Sequence, residues 1–269
     1  MLRIEKRRSL MLSRDILIYF ALKYRGSWEE IYRAVRNKED WNPAEAEALL
    51  CEKPFSALTI LDEAYPACFR SVFRPPFVLF TRGDPALLKR NAVSIVGSRS
   101  ASRYGIEATR KIVRDLKGKN CAVCSGMAKG VDRAAHEEAL KCGIPTIGVL
   151  PCGIDGCYPK ENLALYREVE RRGLLISEYP GSVLIAREKF SFRNRLIAAL
   201  GTSLIVTHVR ERSGTAVTIR YALENGKDVY CVPYPIGEDC FCNHLIKEGA
   251  YLIDGGEDLF SFCRESLLS

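Results

Sequence analysis

Short apolar runs alternate with helical patterns through most of this 269-residue chain. The runs are unbroken by polar residues, which is typical of strands buried on both faces. They are Ala92–Val96, Cys121–Cys124, Thr146–Leu150, Leu174–Ile176, Ser203–Val206 and Val229–Val232. The helical patterns between them are Gly105–Leu116, Val131–Cys142, Glu161–Arg171, Asn194–Leu200 and Thr215–Glu224. Alternating β and α units predict an α/β fold with a doubly wound, mostly parallel sheet.

Residues 1–55 predict a small helical module that precedes this sheet. A first helix is indicated by apolar residues at helical spacing, namely Ile16, Leu17, Phe20, Ala21 and Tyr24. A second helix is predicted over Trp28–Val35. Asn42-Pro43 is typical of a helix cap and first turn, so a third helix is expected over Ala44–Leu50.

Residues 56–90 contain many turn signals and are interpreted as a connecting segment with an edge strand at Phe77–Phe80. The main domain is then expected over residues 91–269. Because the chain ends at Ser269, we expect no additional C-terminal winged-helix domain.

The composition limits the cellular setting more than the ligand. The net charge of +7 permits a polyanionic partner but equally describes a solvated basic surface. The odd number of cysteines, 11, indicates a reducing cytoplasm. Cys121 and Cys124 would point to opposite faces of a strand, so no metal is expected. The N-terminus lacks a convincing signal peptide and no run is long enough to span a membrane.

Ligands of doubly wound sheets bind beyond the carboxyl ends of the strands, so the residues after each strand are the candidate site. The most informative segment runs from Ser125 to His136, a strand end, a glycine turn and a helix start. Such a junction favours a phosphate at unpaired backbone N–H groups, and Lys129 lies inside the turn. His136 follows Asp132 by one helical turn, which indicates a structural hydrogen bond rather than a catalytic dyad.

Two other strand ends have anion-binding character. After the first run, Gly97 and Ser98 bring backbone amides close to a ligand, and Arg99 adds a fork of donors suited to phosphate. A simple turn with Ser102 as the helix N-cap is the alternative. No G-x-G-x-x-G motif is present, which argues against an ordinary dinucleotide site. Ser213-Gly214-Thr215 is another helix start of this kind.

The segment Lys189–Arg195 interleaves two aromatic residues with three cations, a composition suited to single-stranded nucleic acid. The cations would hold phosphates and the rings would stack on bases. A structural interpretation stays open beside it, in which Phe190 or Phe192 is core and one arginine pairs with Glu178.

Taken together, these motifs resemble the DNA processing protein A family, DprA, also called Smf. The resemblance covers about residues 70 to 255. It rests on the order and spacing of Val96-Gly97-Ser98-Arg99, the segment Ser125 to His136, Gly153-Ile154-Asp155, Tyr158-Pro159, Asn162, Ile176-Ser177-Glu178-Tyr179-Pro180, Phe192-Arg193-Asn194-Arg195, Ser213-Gly214-Thr215, Val232-Pro233, Asn243, Leu245-Ile246 and Gly249-Ala250.

The resemblance implies an extended Rossmann-like domain that binds single-stranded DNA, forms a homodimer and loads the recombinase RecA in natural transformation and homologous recombination. It implies no catalytic residue, metal or cofactor. It also implies that Ser125, Gly126 and Lys129 line one DNA-binding pocket. The full set of residues expected to contact DNA is Gly97, Ser98, Arg99, Ser125, Gly126, Lys129, Lys189, Phe192, Arg193, Arg195, Ser213 and Gly214.

Two alternatives use the same pocket for a small nucleotide. One is an enzyme resembling the nucleoside monophosphate phosphoribohydrolases, which need a P-G-G-x-G-T-x-x-E motif. Thr218 stands here at the position of the motif's glutamate, so the required carboxylate is missing. The other is a sensor that binds a small nucleotide without DNA.

Overall fold

The computed structural model describes residues 2–51, 56–211 and 213–259. Its strands are β1 (Ser56–Thr59), β2 (Val78–Gly83), β3 (Ala92–Gly97), β4 (Ala122–Ser125), β5 (Thr146–Val149), β6 (Leu174–Ser177), β7 (Gly201–His208), β8 (Asp228–Cys231) and β9 (Tyr251–Leu252). Its α-helices are α1 (Leu2–Lys23), α2 (Trp28–Arg36), α3 (Pro43–Cys51), α4 (Ala67–Arg70), α5 (Arg103–Asp115), α6 (Val131–Cys142), α7 (Leu163–Arg172), α8 (Arg187–Leu200), α9 (Gly214–Glu224) and α10 (Cys242–Lys247). Short 3-10 helices occupy Pro85–Lys89 and Lys160–Asn162.

The strands form one sheet in the order β1-β2-β6-β5-β4-β3-β7-β8-β9. The pairs from β6 through β9 are parallel, whereas β1 and β2 are antiparallel additions. From β3 the chain winds outward to β6 and then returns to place β7 on the other side of β3. This reversal confirms the doubly wound prediction, and it puts the crevice where such sheets bind ligands between the ends of β3 and β7.

Both faces of the sheet are covered, which explains the unbroken apolar runs. One core cluster joins Ile95 and Val206 to Leu196 of α8. The other joins Phe20 of α1 to Phe80 of the sheet, and both side chains are almost fully buried. The N-terminal helices therefore form part of the layer that covers one face of the sheet.

The helices predicted over residues 1–51 are confirmed. Asn42 caps α3, since its Oδ1 accepts from the backbone N–H of Ala44 at 3.0 Å. Helix α2 is tied to the segment before β2, because Trp28 Nε1 donates to the Pro75 carbonyl at 2.9 Å. In the described part of the chain, no helix combines the length and apolarity needed to cross a membrane.

Some elements differ from the sequence predictions. Val78–Phe80 of the run Phe77–Phe80 belongs to β2, which pairs with both β1 and β6 and is therefore not an edge strand. Residues 56–90 contribute two strands to the sheet. Helix α8 begins at Arg187 rather than Asn194, because its polar first two turns hide the helical period of its buried end.

Candidate functional site

A cavity of about 840 Å³ lies at the carboxyl ends of β3 and β7, at the point where the strand order reverses. The loop after β3, the start of α6 and the first turns of α8 and α9 form its walls. The polar and aromatic residues that line it are Ser98, Arg99, Asp132, Arg187, Phe190, Ser191, Arg193, Asn194, Ser213, Thr215 and Thr218. The position agrees with the site expected from the strand order.

The cavity has an excess of positive charge. Three arginines line it, Arg99, Arg187 and Arg193, against the single carboxylate of Asp132. Arg99 and Arg187 are exposed, and neither forms an ion pair within the described ranges. The guanidinium of Arg99 lies 4.7 Å from the centre of the Phe190 ring. The cavity therefore presents free, phosphate-matching donors beside an aromatic surface.

The floor of the cavity is a buried pair of opposite charges. Arg193 is buried and donates to the carbonyl of Val149 at the end of β5. Burial raises the pKa of the Asp132 carboxyl, and the nearby Arg193 opposes that rise. Arg193 thus ties α8 to the end of β5 and also lines the cavity.

The N-terminus of α9 also opens into the cavity. Ser213 is its N-cap and Gly214, the first helical residue, is exposed. Ser213 Oγ is shielded from solvent and has no hydrogen-bond partner among residues 2–51, 56–211 and 213–259. A hydroxyl and a helix N-terminus together provide donors for an anion.

The turn after β4 differs from the expectation of an open anion site. Gly130 has φ of 73°, and a Cβ there would lie 2.2 Å from the carbonyl oxygen of Ser98. That close approach lets the N–H of Val131 donate to the Ser98 carbonyl at 3.3 Å. The start of α6 is therefore partly capped by the protein itself, and only Ala128 and Asp132 of this turn line the cavity.

The predicted hydrogen bond between Asp132 and His136 is wrong. His136 Nε2 lies 2.9 Å from the Gly126 carbonyl, and Nδ1 lies 2.6 Å from Thr146 Oγ1. Because a carbonyl only accepts, Nε2 carries a proton. Thr146 Oγ1 in turn donates to the Val123 carbonyl at 3.1 Å. Burial lowers the pKa of His136 to about 4. The imidazole is thus a neutral brace between the turn and β5.

Three residues expected to line the pocket lie elsewhere. Ser125 and Gly126 are buried, and Ser125 Oγ donates to the Ile95 carbonyl at 2.6 Å, which braces β4 against β3. Lys129 is exposed but turns to Glu161, with Nζ 3.0 Å from its Oε1. These residues support or flank the cavity instead of lining it.

Arg195 is an internal anchor and not a surface residue. It is completely buried, and its guanidinium binds both carboxylate oxygens of Glu178 at 2.6 Å. It also donates to the carbonyls of Phe73 and Arg74 at 2.9 and 2.8 Å. The predicted pairing of Glu178 with an arginine is confirmed. The expectation that Arg195 contacts DNA is corrected, because none of its surface reaches solvent.

Lys189 and Phe192 line a separate groove of about 470 Å³ on the other side of α8. Lys189 Nζ donates to the Leu184 carbonyl at 2.7 Å and lies over the Tyr179 ring at 4.7 Å. Burial lowers the pKa of Lys189. Ser191 lines both the groove and the cavity, so the start of α8 is the ridge between them.

Sequence reasoning missed two arginines that the structure brings to these surfaces. Arg187 lines the cavity and Arg74 lines the groove. Arg187 continues the cationic run that begins at Lys189, so extending that run by two residues would have found it. Arg74 lies far away in sequence, and only the fold places it near α8.

No cluster of three or more His, Cys, Asp or Glu side chains suited to a metal ion occurs in the described residues.

The model of the family described as DNA recombination-mediator protein A matches residues 56–264. The chain belongs to this family. The match is longer than the 70–255 range expected from the motifs. DNA processing protein DprA of Streptococcus pneumoniae is 38% identical over 209 residues, covering 77% of this chain and 74% of the relative. The Bacillus subtilis protein of that name is 34% identical over 212 residues, covering 78% and 71%.

Two solved structures of the family share the fold. The structure of DprA from Streptococcus pneumoniae superposes with a TM-score of 0.76 at 31% identity, covering 91% of this chain and 95% of that one. DNA processing protein A from Helicobacter pylori, whose single-stranded DNA binding mode has been described structurally, gives 0.72 at 29% identity, covering 80% and 98%. These matches confirm the family resemblance and the predicted fold class.

Proposed function

We propose that this chain binds single-stranded DNA and holds its phosphate backbone in the cavity between β3 and β7. The observation that carries the proposal is that Arg99, Arg187 and Arg193 line one cavity in which Asp132 is the only carboxylate among the described residues. Guanidinium groups match phosphate oxygens in geometry and charge. Since Arg99 and Arg187 have no acidic partner in the described part of the chain, a phosphate displaces no ion pair there.

Membership of the family supports this ligand. The Helicobacter pylori relative binds single-stranded DNA, and the family is described as a recombination mediator. By the same likeness we propose that the chain protects incoming single strands and loads RecA during transformation or recombination. We propose further that it acts as a cytoplasmic homodimer and catalyses no reaction itself.

Titration with labelled oligonucleotides tests the binding proposal. We expect single strands to bind more tightly than duplex of the same length, with an affinity that falls steeply as salt rises, because phosphate contacts release counterions. Arg99→Ala and Arg187→Ala, which each remove an arginine that lines the cavity, should weaken binding to all sequences alike. Arg171→Ala, which removes an exposed arginine on α7, is the matched control. Binding that is indifferent to salt, or equal for duplex, would contradict the proposal.

RecA loading and dimer formation need separate measurements. We expect a solution mass of two chains, and faster assembly of RecA on single strands when the protein is present. A monomer in solution, or an unchanged assembly rate, would remove that part of the proposal and leave DNA binding intact.

One observation keeps a small-nucleotide function in view. Asp132 is a buried carboxyl with a raised pKa at the cavity floor, and groups of that kind are enriched at catalytic sites. Against catalysis, Thr218 supplies a hydroxyl to the cavity where the phosphoribohydrolase motif has glutamate. Release of free base from AMP would support the enzyme hypothesis. Saturable binding of mononucleotides without oligonucleotide binding would support the sensor hypothesis. We expect neither.

A further inference from the structure

Four planar side chains lie in succession at the surface between α2 and the segment before β2, and the Phe77 ring stacks on Trp28 beside them with ring centres 5.4 Å apart. The rings of Tyr32 and Trp28 lie 5.0 Å apart and are inclined by only 10°. The guanidinium of Arg74 lies 5.2 Å from the Trp28 ring and 5.1 Å from the Phe73 ring. We propose that this aromatic stack, Tyr32-Trp28-Arg74-Phe73, is a second subsite for single-stranded DNA and binds nucleobases. The inference rests on the proposed function.

Both ends of the aromatic stack are open to solvent. Tyr32 is 44% exposed and Phe73 is 61% exposed, whereas Trp28 and Arg74 between them are partly buried. A nucleobase can extend such a stack at either end, because every base has a π-face and stacking on aromatic rings tolerates any sequence.

The aromatic stack is held in place before any ligand arrives. Trp28 is fixed through its bond to the Pro75 carbonyl, and Arg74 forms an ion pair with Glu29. The buried Arg195 holds the carbonyls of Phe73 and Arg74. Arg74 also has φ of 54°, a left-handed conformation that is costly for a residue with a side chain and is maintained by these contacts. Preorganised surfaces lose less entropy on binding.

A continuous path connects the aromatic stack with the cavity. The groove beside the stack is lined by Trp28, Arg74 and Phe192, and Ser191 belongs to both concavities. One face of the Phe192 ring is covered by the Arg195 guanidinium at 3.7 Å, and the side chain remains partly exposed to the groove. A strand that leaves the cavity over the start of α8 therefore passes Phe192 and reaches the stack.

The charges of the groove favour bases over phosphates. Its two cations, Arg74 and Lys189, are matched by Glu29 and Glu188. A groove without net charge gives little attraction for a phosphate but leaves the ring surfaces available. Trp28 and Glu29, which line the groove, lie outside the matched range 56–264, so this wall of the groove comes from the N-terminal helices.

Oligonucleotides of increasing length test the inference. For wild-type protein, affinity should rise over a series from about 4 to about 16 nucleotides, the range of site sizes of single-strand-binding folds. Phe73→Ala and Tyr32→Ala should each lose roughly tenfold in affinity for the long strands, the loss of about one stacked base. Both should bind the shortest strands as wild type does, since these occupy only the cavity.

Matched variants separate stacking from folding. Phe73→Leu keeps an apolar side chain without a π-face, and it should show the same loss for long strands with an unchanged melting temperature. Tyr251→Ala removes a ring of similar exposure, 43%, at the opposite edge of the sheet. It should bind all lengths like wild type. Photo-crosslinking of 5-iodouracil-containing strands should label peptides that contain Tyr32 or Phe73.

The outcomes distinguish this inference from the proposed function. If wild-type protein binds no single strand of any length, the proposed function fails. If wild type binds but Phe73→Leu and Tyr32→Ala lose nothing at any length, or lose no more than Tyr251→Ala, the cavity function stands and the stack does not bind DNA. Crosslinks confined to other segments would equally overturn the inference.

Discussion

The cavity and the aromatic stack use the same residue type in opposite ways. In the cavity, Arg99 and Arg187 have no acidic partner within the described ranges and lie beside the N-terminus of α9. In the aromatic stack, Arg74 forms an ion pair with Glu29 and its guanidinium lies between the Trp28 and Phe73 rings. Unpaired charge attracts a phosphate through space, whereas a paired guanidinium contributes mainly stacking surface. The comparison teaches that the partner of an arginine, and not the residue type, decides whether the arginine favours the phosphate or the base of a nucleotide.

The largest expected effect comes from Arg195, which supports both regions. Arg195→Met should destabilise the protein by about 3–5 kcal/mol, because it leaves Glu178 as a buried charge without its partner. It should also release the loop that carries Phe73. Chemical denaturation measures the free energy of unfolding, and the oligonucleotide series measures the loss at the stack.

An exposed ion pair gives the control for that result. Arg110→Met removes the partner of Glu107 on the surface of α5, where the pair is worth at most about 1 kcal/mol. If Arg195→Met were no more destabilising than Arg110→Met, the shared anchor would be ruled out and the two regions would be independent.

The second effect is a loss of stability at acid pH that involves the cavity alone, because it comes from the neutral His136 beneath the cavity. Its pKa is about 4 in the folded protein against about 6.5 when unfolded. The unfolded state therefore binds the proton first, and stability falls as pH drops from about 6.5 to about 4. The loss is about 3 kcal/mol, because each pKa unit is worth about 1.4 kcal/mol.

His136→Gln isolates this contribution. The raised pKa of Asp132 acts in the opposite direction between that raised pKa and the ordinary value of a carboxyl, since the folded state binds its proton more tightly. The wild-type curve of unfolding free energy against pH should therefore be compared with that of the variant, whose acid-side loss should be smaller. Parallel curves for the two proteins would show that protonation of His136 does not cause the loss of stability at acid pH.

The sequence was sufficient for the parts of the site that depend on strand order. Continuous apolar runs predicted the parallel sheet. Because ligands of such sheets bind beyond the carboxyl ends of the strands, Arg99 and Ser213 were expected at one site. The burial of individual side chains was not predictable, because Lys189–Arg195 is part of a helix that has one buried face. The rotation of that helix about its axis determines that Arg195 is buried and that Lys189 lies beside the groove. The spacing of the motif does not indicate this rotation.

The aromatic stack was beyond reach for a different reason. Trp28 and Arg74 are far apart in the chain, and the antiparallel addition of β1 and β2 brings them together. That addition was not predicted, since Phe77–Phe80 was interpreted as an edge strand. Contacts between distant segments depend on topology, which local patterns specify least.

The third effect compares two cations of the strand-end loops. Arg99→Ala should weaken single-strand binding roughly tenfold, as expected for one charge-assisted contact to phosphate. Lys129→Ala should change it less than about twofold, because Lys129 is paired with Glu161 outside the cavity and exposed pairs contribute little. Binding isotherms at one salt concentration suffice. Equal losses would mean that the turn after β4 contacts DNA despite its closed N-terminus.

The smallest effect is a change in the salt dependence of binding, and it separates the cavity from the aromatic stack most directly. Removing one phosphate contact lowers the salt slope for single strands by about 0.7. The deficit of Arg99→Ala relative to wild type should therefore shrink roughly threefold between about 50 mM and about 200 mM salt. The deficit of Phe73→Leu should stay constant over the same range, because stacking releases no counterions. Isotherms of the three proteins at both salt concentrations measure these ratios. A Phe73→Leu deficit that shrinks in parallel with that of Arg99→Ala would show that the stack also binds the backbone, and the division between phosphate and base recognition would fail.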